Sequence, residues 1–280
     1  MSFKIIGDSC CDYPAEGSDY PWLERVALSI DIGEDTYIDD KNLDFLELIK
    51  IMAESPHAPK SACPAPGAYY DAYDVDADDV YVVTLSQVLS GSYASAVTAA
   101  NMMKELNPKK NIHVFDSKTA ACGQNAICEK IYEFASSGMA FDEVVSAVNE
   151  YIDGMNTYFV LENLEVFRKS GRLNHLQSII TSALKLKLVM GGEEGAIVMR
   201  GKALSMDRAL VKMADMIAAK CKHIDVTKRR LYITQCNCME RAKKTRDIIM
   251  SKVPFKDSEI FSAGGISTIY ANSGGIVVCF

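Results

Sequence analysis

One stretch constrains this chain more than any other: Val80-Tyr-Val-Val-Thr-Leu85, then Ser90-Gly-Ser92, then the small-residue segment Tyr93 to Leu106. A short, apolar, β-branched run is the pattern of a strand buried on both faces. The alanines at 94, 96, 99 and 100 predict a helix that lies close against a sheet. A strand that feeds a helix in this way is the unit of a parallel sheet. The turn between the two lies at the carboxyl edge, where ligands collect and the free N–H groups of the helix start favour anions. Ser90 and Ser92 place two hydroxyls there, and Gly91 permits close backbone approach. The same serines also suit the simpler role of capping the helix.

The pattern recurs along the chain. Phe3 to Gly7 is an apolar strand ending in Asp8-Ser9-Cys10-Cys11-Asp12, polar residues that belong at the same sheet edge or in Asx-type loop and cap chemistry. Arg25 to Ile32 is apolar, and Gly33 to Asp40 reads as an antiparallel excursion. Asn42 is expected to cap a helix from Leu43 to Glu54. Pro56 to Gly67 holds four of the eight prolines, so Lys60 to Cys63 must be an extended, stiff segment, and Pro66 suits the first turn of a helix through Tyr73. Ser61 is the one well-placed hydroxyl in that loop. A strand from Asn111 to Phe115 ends in Asp116-Ser117, and helices follow from Ala121 to Ser136 and from Phe141 to Met155. Repeated strand-then-helix units predict a parallel-sheet α/β/α first domain over residues 1–156.

From Thr157 the texture changes. A strand from Thr157 to Leu161 is followed by a short helix, Glu165 to Arg172, closed by Gly171, and helical residues run from Leu176 to Leu186. Gly191-Gly192 and Gly195 predict turns around a hairpin through Ile197 to Met199. Helices from Asp207 to Cys221 and Met239 to Ser251 alternate with strands Arg230 to Thr234 and Glu259 to Phe261, and Gly274 to Phe280 closes the chain as a strand. Residues 157–280 are therefore expected to form a mixed-sheet α+β second domain, with helices on one face.

Composition narrows the function. A net charge of −7, with 30 basic residues scattered along 280, argues against nucleic acid. No window approaches the ~20 apolar residues of a membrane span, and the start lacks a signal peptide, so a cytoplasmic protein is expected. Nine cysteines form no CxxC pair, and the four histidines are isolated, so neither a metal site nor a catalytic triad is indicated and no cofactor is expected.

Five segments together resemble the DegV family over essentially the whole chain: Lys4-Ile-Ile-Gly-Asp8-Ser9, Pro59 to Pro66, Leu89-Ser-Gly-Ser-Tyr93, Phe115-Asp116-Ser117, and Asn163-Leu-Glu-Val-Phe167-Arg-Lys-Ser-Gly171-Arg172. The resemblance implies two domains with a long-chain fatty acid in a tunnel between them. Carried over by position, it assigns the carboxylate to Ser61, where the family usually has threonine, and to Ser90, Gly91 and Ser92. Asp8, Ser9, Asp116, Ser117, Phe167, Gly171 and Arg172 are expected nearby. Some family members carry the acyl group for a separate fatty acid kinase, which such a chain would have as its partner.

This chain also departs from the pattern. Ala62-Cys63 stands where the family commonly has Ser-Gln, no arginine lies near Leu204, and Ser262 to Gly275 contains no histidine, although many relatives carry one there. A lipid is nevertheless physically reasonable. A chain of about sixteen carbons buried at ~0.8 kcal/mol per CH₂ gains roughly 12 kcal/mol, of which association and ordering remove several. Hydroxyls and N–H groups then need only satisfy the head. Two other readings fit the same turn. A serine-dependent hydrolase would need a base beside Ser90 or Ser92, and a binding module for a small phosphorylated metabolite would need more basic residues around the helix start.

Overall fold

The computed structural model of the protein describes residues 2–173 and 186–280. Alternation of side chains along the strands explains the first lobe. Strands β1 (Phe3–Asp8), β3 (Leu23–Val26), β7 (Asp79–Thr84) and β8 (Asn111–Asp116) form a parallel sheet in the order β3-β1-β7-β8. All six residues of β7 are buried, because both faces are covered. Tyr81 and Val83 face Ile127, Ile131, Val144 and Val148 of the helices Cys122–Ser136 and Phe141–Asp153. Val80 and Val82 face Tyr69, Tyr73, Ala96 and Ala99 of the helices Pro66–Tyr73 and Ser92–Leu106. Ala96 and Ala99 have no exposed surface, so the expected close helix–sheet approach is present.

A small antiparallel sheet, β5-β4-β6, stands at the carboxyl edge of this lobe, formed by β4 (Ser29–Ile32), β5 (Asp35–Ile38) and β6 (Lys60–Ala62). The proline-rich segment is thus extended, as its φ restrictions require, and Ser61 is opposite Ile30. Asp44, not Asn42, caps the first helix, Phe45–Glu54, accepting from the Leu46 and Glu47 N–H groups. Asn42 instead donates its backbone N–H to Asp40.

The second sheet is mixed and runs β11-β10-β9-β14-β12-β13-β2. Its strands are β9 (Thr157–Val160), β10 (Lys187–Glu193), β11 (Ala196–Ala203), β12 (Arg230–Gln235), β13 (Asp257–Ser262) and β14 (Ile276–Cys279), with β2 (Tyr13–Pro14) contributed by the N-terminal part of the chain. The hairpin turn lies at Glu194 and Gly195, with φ of 47° and 80°. Positive φ at both central residues is the geometry that matches strand twist. Gly191 and Gly192 belong to β10 itself, a correction to the turn expected there.

Val160, Val189, Leu231, Ile233 and Val278 pack under the helices Met206–Cys221 and Met239–Met250. The opposite face turns toward the first lobe, where Cys122 and Ala126 meet Tyr232, Phe261 and Cys279. One face of this sheet therefore has its own helices and the other has the first lobe. The helix expected from Leu176 lies, apart from Leu186, outside the described residues. No described helix is long and apolar enough to cross a membrane.

Candidate functional site

Between the lobes lies a cavity with about 930 Å³ of atom-free space, counting the part open to solvent. Its walls are largely apolar. Cys10, Leu28, Leu85, Leu89, Ala120 and Ala121 come from the first lobe, and Phe159, Leu161, Phe167, Ile197, Ile266, Ala271 and Val277 from the second. Apart from Ser267, the polar lining side chains gather at two ends, and contacts between the walls order them. Ser61 Oγ lies 3.0 Å from Tyr270 Oη. The Tyr270 ring is 4.7 Å from that of Phe167, which is 6.2 Å from Phe159. Thr157, Phe159 and Leu161 are at alternate positions along one chain segment and line the same cavity. Leu161 packs with Ala271, next to Tyr270, so Thr157 marks the end away from Ser61.

At the Ser61 end the pieces come from distant parts of the chain. β6 pairs with β4 and fixes the position of Ser61. The strand-to-helix turn brings Leu89 and Ser90, and the Leu89 carbonyl accepts from Arg172 Nε at 3.1 Å. The Arg172 guanidinium stands 5.7 Å above the Tyr270 ring, within cation–π range. Gly91 lets the turn meet the proline-rich loop, since a Cβ there would lie 3.0 Å from Cys63 Sγ. Ser61, Ser90 and Arg172 therefore share one cavity end with Tyr270.

Ser92 is placed differently. It has no exposed surface and does not line the cavity; its N–H donates to Ser90 Oγ at 3.2 Å, and the two hydroxyl oxygens are 3.0 Å apart. Ser90, not Ser92, thus satisfies a donor of the helix start. Tyr69, fully buried beside Ser92, closes no hydrogen bond of normal geometry through its hydroxyl.

The other sequence candidates hold the lobes in shape. Asp8 accepts from the backbone N–H groups of Cys10 (3.1 Å) and Leu85 (2.7 Å) and from Gln124 Nε2 (2.9 Å). Ser9 Oγ accepts from the Leu28 N–H. Asp116 accepts from the N–H groups of Gln87 and Lys118, and Ser117 Oγ donates to the Thr119 carbonyl. None of these four lines the cavity. Phe167 does, and Gly171, with φ of 80°, makes the turn that brings Arg172 to it.

Sequence reasoning missed the helix Gly265–Ala271, which supplies Ile266, Ser267, Tyr270 and Ala271 to the lining. It is short, and its Gly264-Gly265 start reads as loop. The available signal was its position directly after β13, another strand-to-helix junction. Its first N–H groups are held by buried carboxylates: Gly264 by Asp12 (2.9 Å), and Gly265 and Ile266 by Asp39 (2.7 and 3.0 Å). Asp12 also accepts from Thr234 Oγ1 at 2.6 Å, which ties the lobes together. Burial pushes Asp8, Asp12 and Asp39 each up to about 6, against the lowering effect of these hydrogen bonds. None of the three is in an ion pair among the described residues. At the far end, Lys118 is held between Asp153 and Glu194, and these partners raise its pKa to about 12.

The fold and site define a two-lobed α/β protein with an apolar-walled cavity between a parallel and a mixed sheet. The chain belongs to the DegV family, whose model matches residues 2–280. A DegV family protein of Ruminococcus gnavus, solved with vaccenic acid, is 43% identical, with a TM-score of 0.95 over 100% of this chain and 99% of that one. The Fatty Acid Kinase B3 protein of Streptococcus pneumoniae, loaded with linoleic acid, is 29% identical, with a TM-score of 0.90 over 100% and 99%. A DegV domain-containing protein of Streptococcus pneumoniae is 29% identical over 99% of this chain and 98% of its own length.

Proposed function

We propose that this protein binds a long-chain fatty acid between its lobes, with the carboxylate at the Ser61–Ser90–Arg172–Tyr270 end and the hydrocarbon tail along the apolar walls. The observation that carries this reading is the distribution of polarity along mostly apolar walls: Ser61, Ser90, Tyr270 and Arg172 collect at one end, while at the other, beside Thr119 and Thr157, the Lys118 ammonium is already paired with Asp153 and Glu194. Such a site obtains affinity from the tail and orientation from the head. A hydrolase is less well supported, because no histidine or carboxylate is among the described lining residues to act as base beside Ser90. A phosphorylated metabolite would leave most of these walls without a partner. The lipid-loaded relatives support the same reading.

We further propose that the chain presents the bound carboxylate to a separate fatty acid kinase, a reading that its likeness to the Fatty Acid Kinase B3 protein supports. Ser61 and Ser90 are both only half-buried, so the head lies near the surface. Native mass spectrometry of the purified protein tests the binding, with an added mass matching a fatty acid as the expected result. Protein that stays lipid-free after incubation with oleate and palmitate would refute it. The loaded protein, mixed with the kinase of a relative and ATP, should yield hydroxylamine-trappable acyl phosphate, and no product with any such kinase would remove the carrier role.

A further inference from the structure

The far end of the cavity is not apolar. Thr119 and Thr157 line it, with their hydroxyl oxygens 2.8 Å apart. Each hydroxyl has one proton to donate and two lone pairs. Their mutual bond uses a single proton. The other goes to a weak acceptor, Cys279 Sγ at 3.4 Å from Thr157 and 3.9 Å from Thr119, or to the Ala120 carbonyl at a long 3.4 Å from Thr119. At least one donor and several lone pairs are thus poorly used beside the end of an otherwise apolar passage.

A second observation concerns what lies behind this wall. Lys118, Thr119, Thr157 and Gly192 also line a small polar cavity with Ser117, Asp153 and Glu194, and Thr157 and Gly192 border another with Arg200 and Lys220. Gly192 adds no side chain to the partition. A chain terminus that reaches this wall meets hydroxyls backed by polar space, not packed core.

We infer that this end accepts a fatty acid hydroxylated at or near its ω-carbon, the added hydroxyl being held by Thr119 and Thr157. The inference rests on the proposed fatty-acid reading. In an apolar end the extra hydroxyl would be buried without a partner and would weaken binding by tenfold or more; here it replaces a poorly made bond with a good one.

The test is a comparison of dissociation constants for ω-hydroxylated and unsubstituted saturated acids of twelve to eighteen carbons, about one methylene pair per step, matched by length. It uses the wild-type protein and the near-isosteric variants Thr119→Val and Thr157→Val. At the length that places the hydroxyl against the wall, the wild type should bind both acids within about threefold, and each valine variant should discriminate against the hydroxylated acid by about tenfold more than the wild type. Retained binding of the unsubstituted acids shows that the variants are folded. Equal discrimination in wild type and variants at every length overturns the inference while leaving the fatty-acid reading intact. Absence of binding by any acid removes both.

Discussion

Ser61, Ser90 and Ser92 are alike in the sequence and unlike in the fold. Ser61 and Ser90 present hydroxyls to the cavity, whereas Ser92 is fully buried behind Ser90. Losing a cavity-facing hydroxyl leaves a bound carboxylate oxygen short of a donor, which costs about 1–3 kcal/mol. Ser61→Ala and Ser90→Ala should therefore each weaken fatty-acid binding about tenfold, measured by isothermal titration, with little change in the melting temperature of the free protein. Ser92→Ala should weaken it less, because its hydroxyl only orients that of Ser90. Equal losses at all three serines would show that the buried pair acts as one donor, and no loss at Ser61 would remove it from the head site. Tyr270, 3.0 Å from Ser61, competes for the same hydroxyl and has no counterpart in the sequence motifs.

Among the elements, the head end depends on two that meet without being neighbours in sequence. The proline-rich segment with β6 and the turn before the helix Ser92–Leu106 touch where Gly91 faces Cys63. Gly91 has φ of −74°, so backbone strain is not what favours glycine here; space is. Gly91→Val should push the Cys63 side chain and with it the loop that carries Ser61, weakening binding several-fold. Cys63→Ala in the same protein should restore much of the loss, as expected for residues in direct contact. Independent, additive effects in that double-mutant cycle would mean that the loop does not yield as a unit. The short helix Gly265–Ala271 depends similarly on Asp39, which occupies its N-terminus from the other lobe.

For the whole molecule, the buried aspartates make an unusual demand on pH. Asp8, Asp12 and Asp39 have folded-state values near 6, above the ~3.9 of an unfolded chain. A raised carboxylate favours the protonated form in the fold. Its contribution to stability is therefore fully present below about pH 4 and is lost as pH rises through about 6. Each group contributes on the order of a few kcal/mol at most. Glu129, raised by burial, acts in the same direction, while Glu162, held down by Lys187 and Arg241 against the effect of burial, acts oppositely at lower pH. The melting temperature, followed by calorimetry, should fall between pH 5 and pH 7. Asp39→Asn should flatten that slope while keeping an acceptor at the helix start. A pH slope left unchanged by Asp39→Asn would show that Asp39 is already ionised in the folded protein over this range.

What the sequence determined by itself was local. β-branched runs, alanine-rich helix faces and proline restrictions are properties of neighbouring residues, so the parallel sheet, the extended segment at Lys60–Ala62 and the turn at Ser90–Gly91 could all be read before any coordinate. The five ordered motifs then pointed to a family and a ligand class. Other features were decided only by tertiary structure, because they depend on residues that the chain brings together from far apart. Tyr270 reaches Ser61 across 209 positions. Asp12 and Asp39 hold a seven-residue helix whose glycine-rich start has no propensity of its own to announce it. Thr119 and Thr157, ordinary residues in sequence, face each other only because a loop after β8 meets the first residue of β9. Period and propensity act over a few residues. The closing of two lobes around a cavity is set by which strand faces remain apolar after each lobe has covered its own.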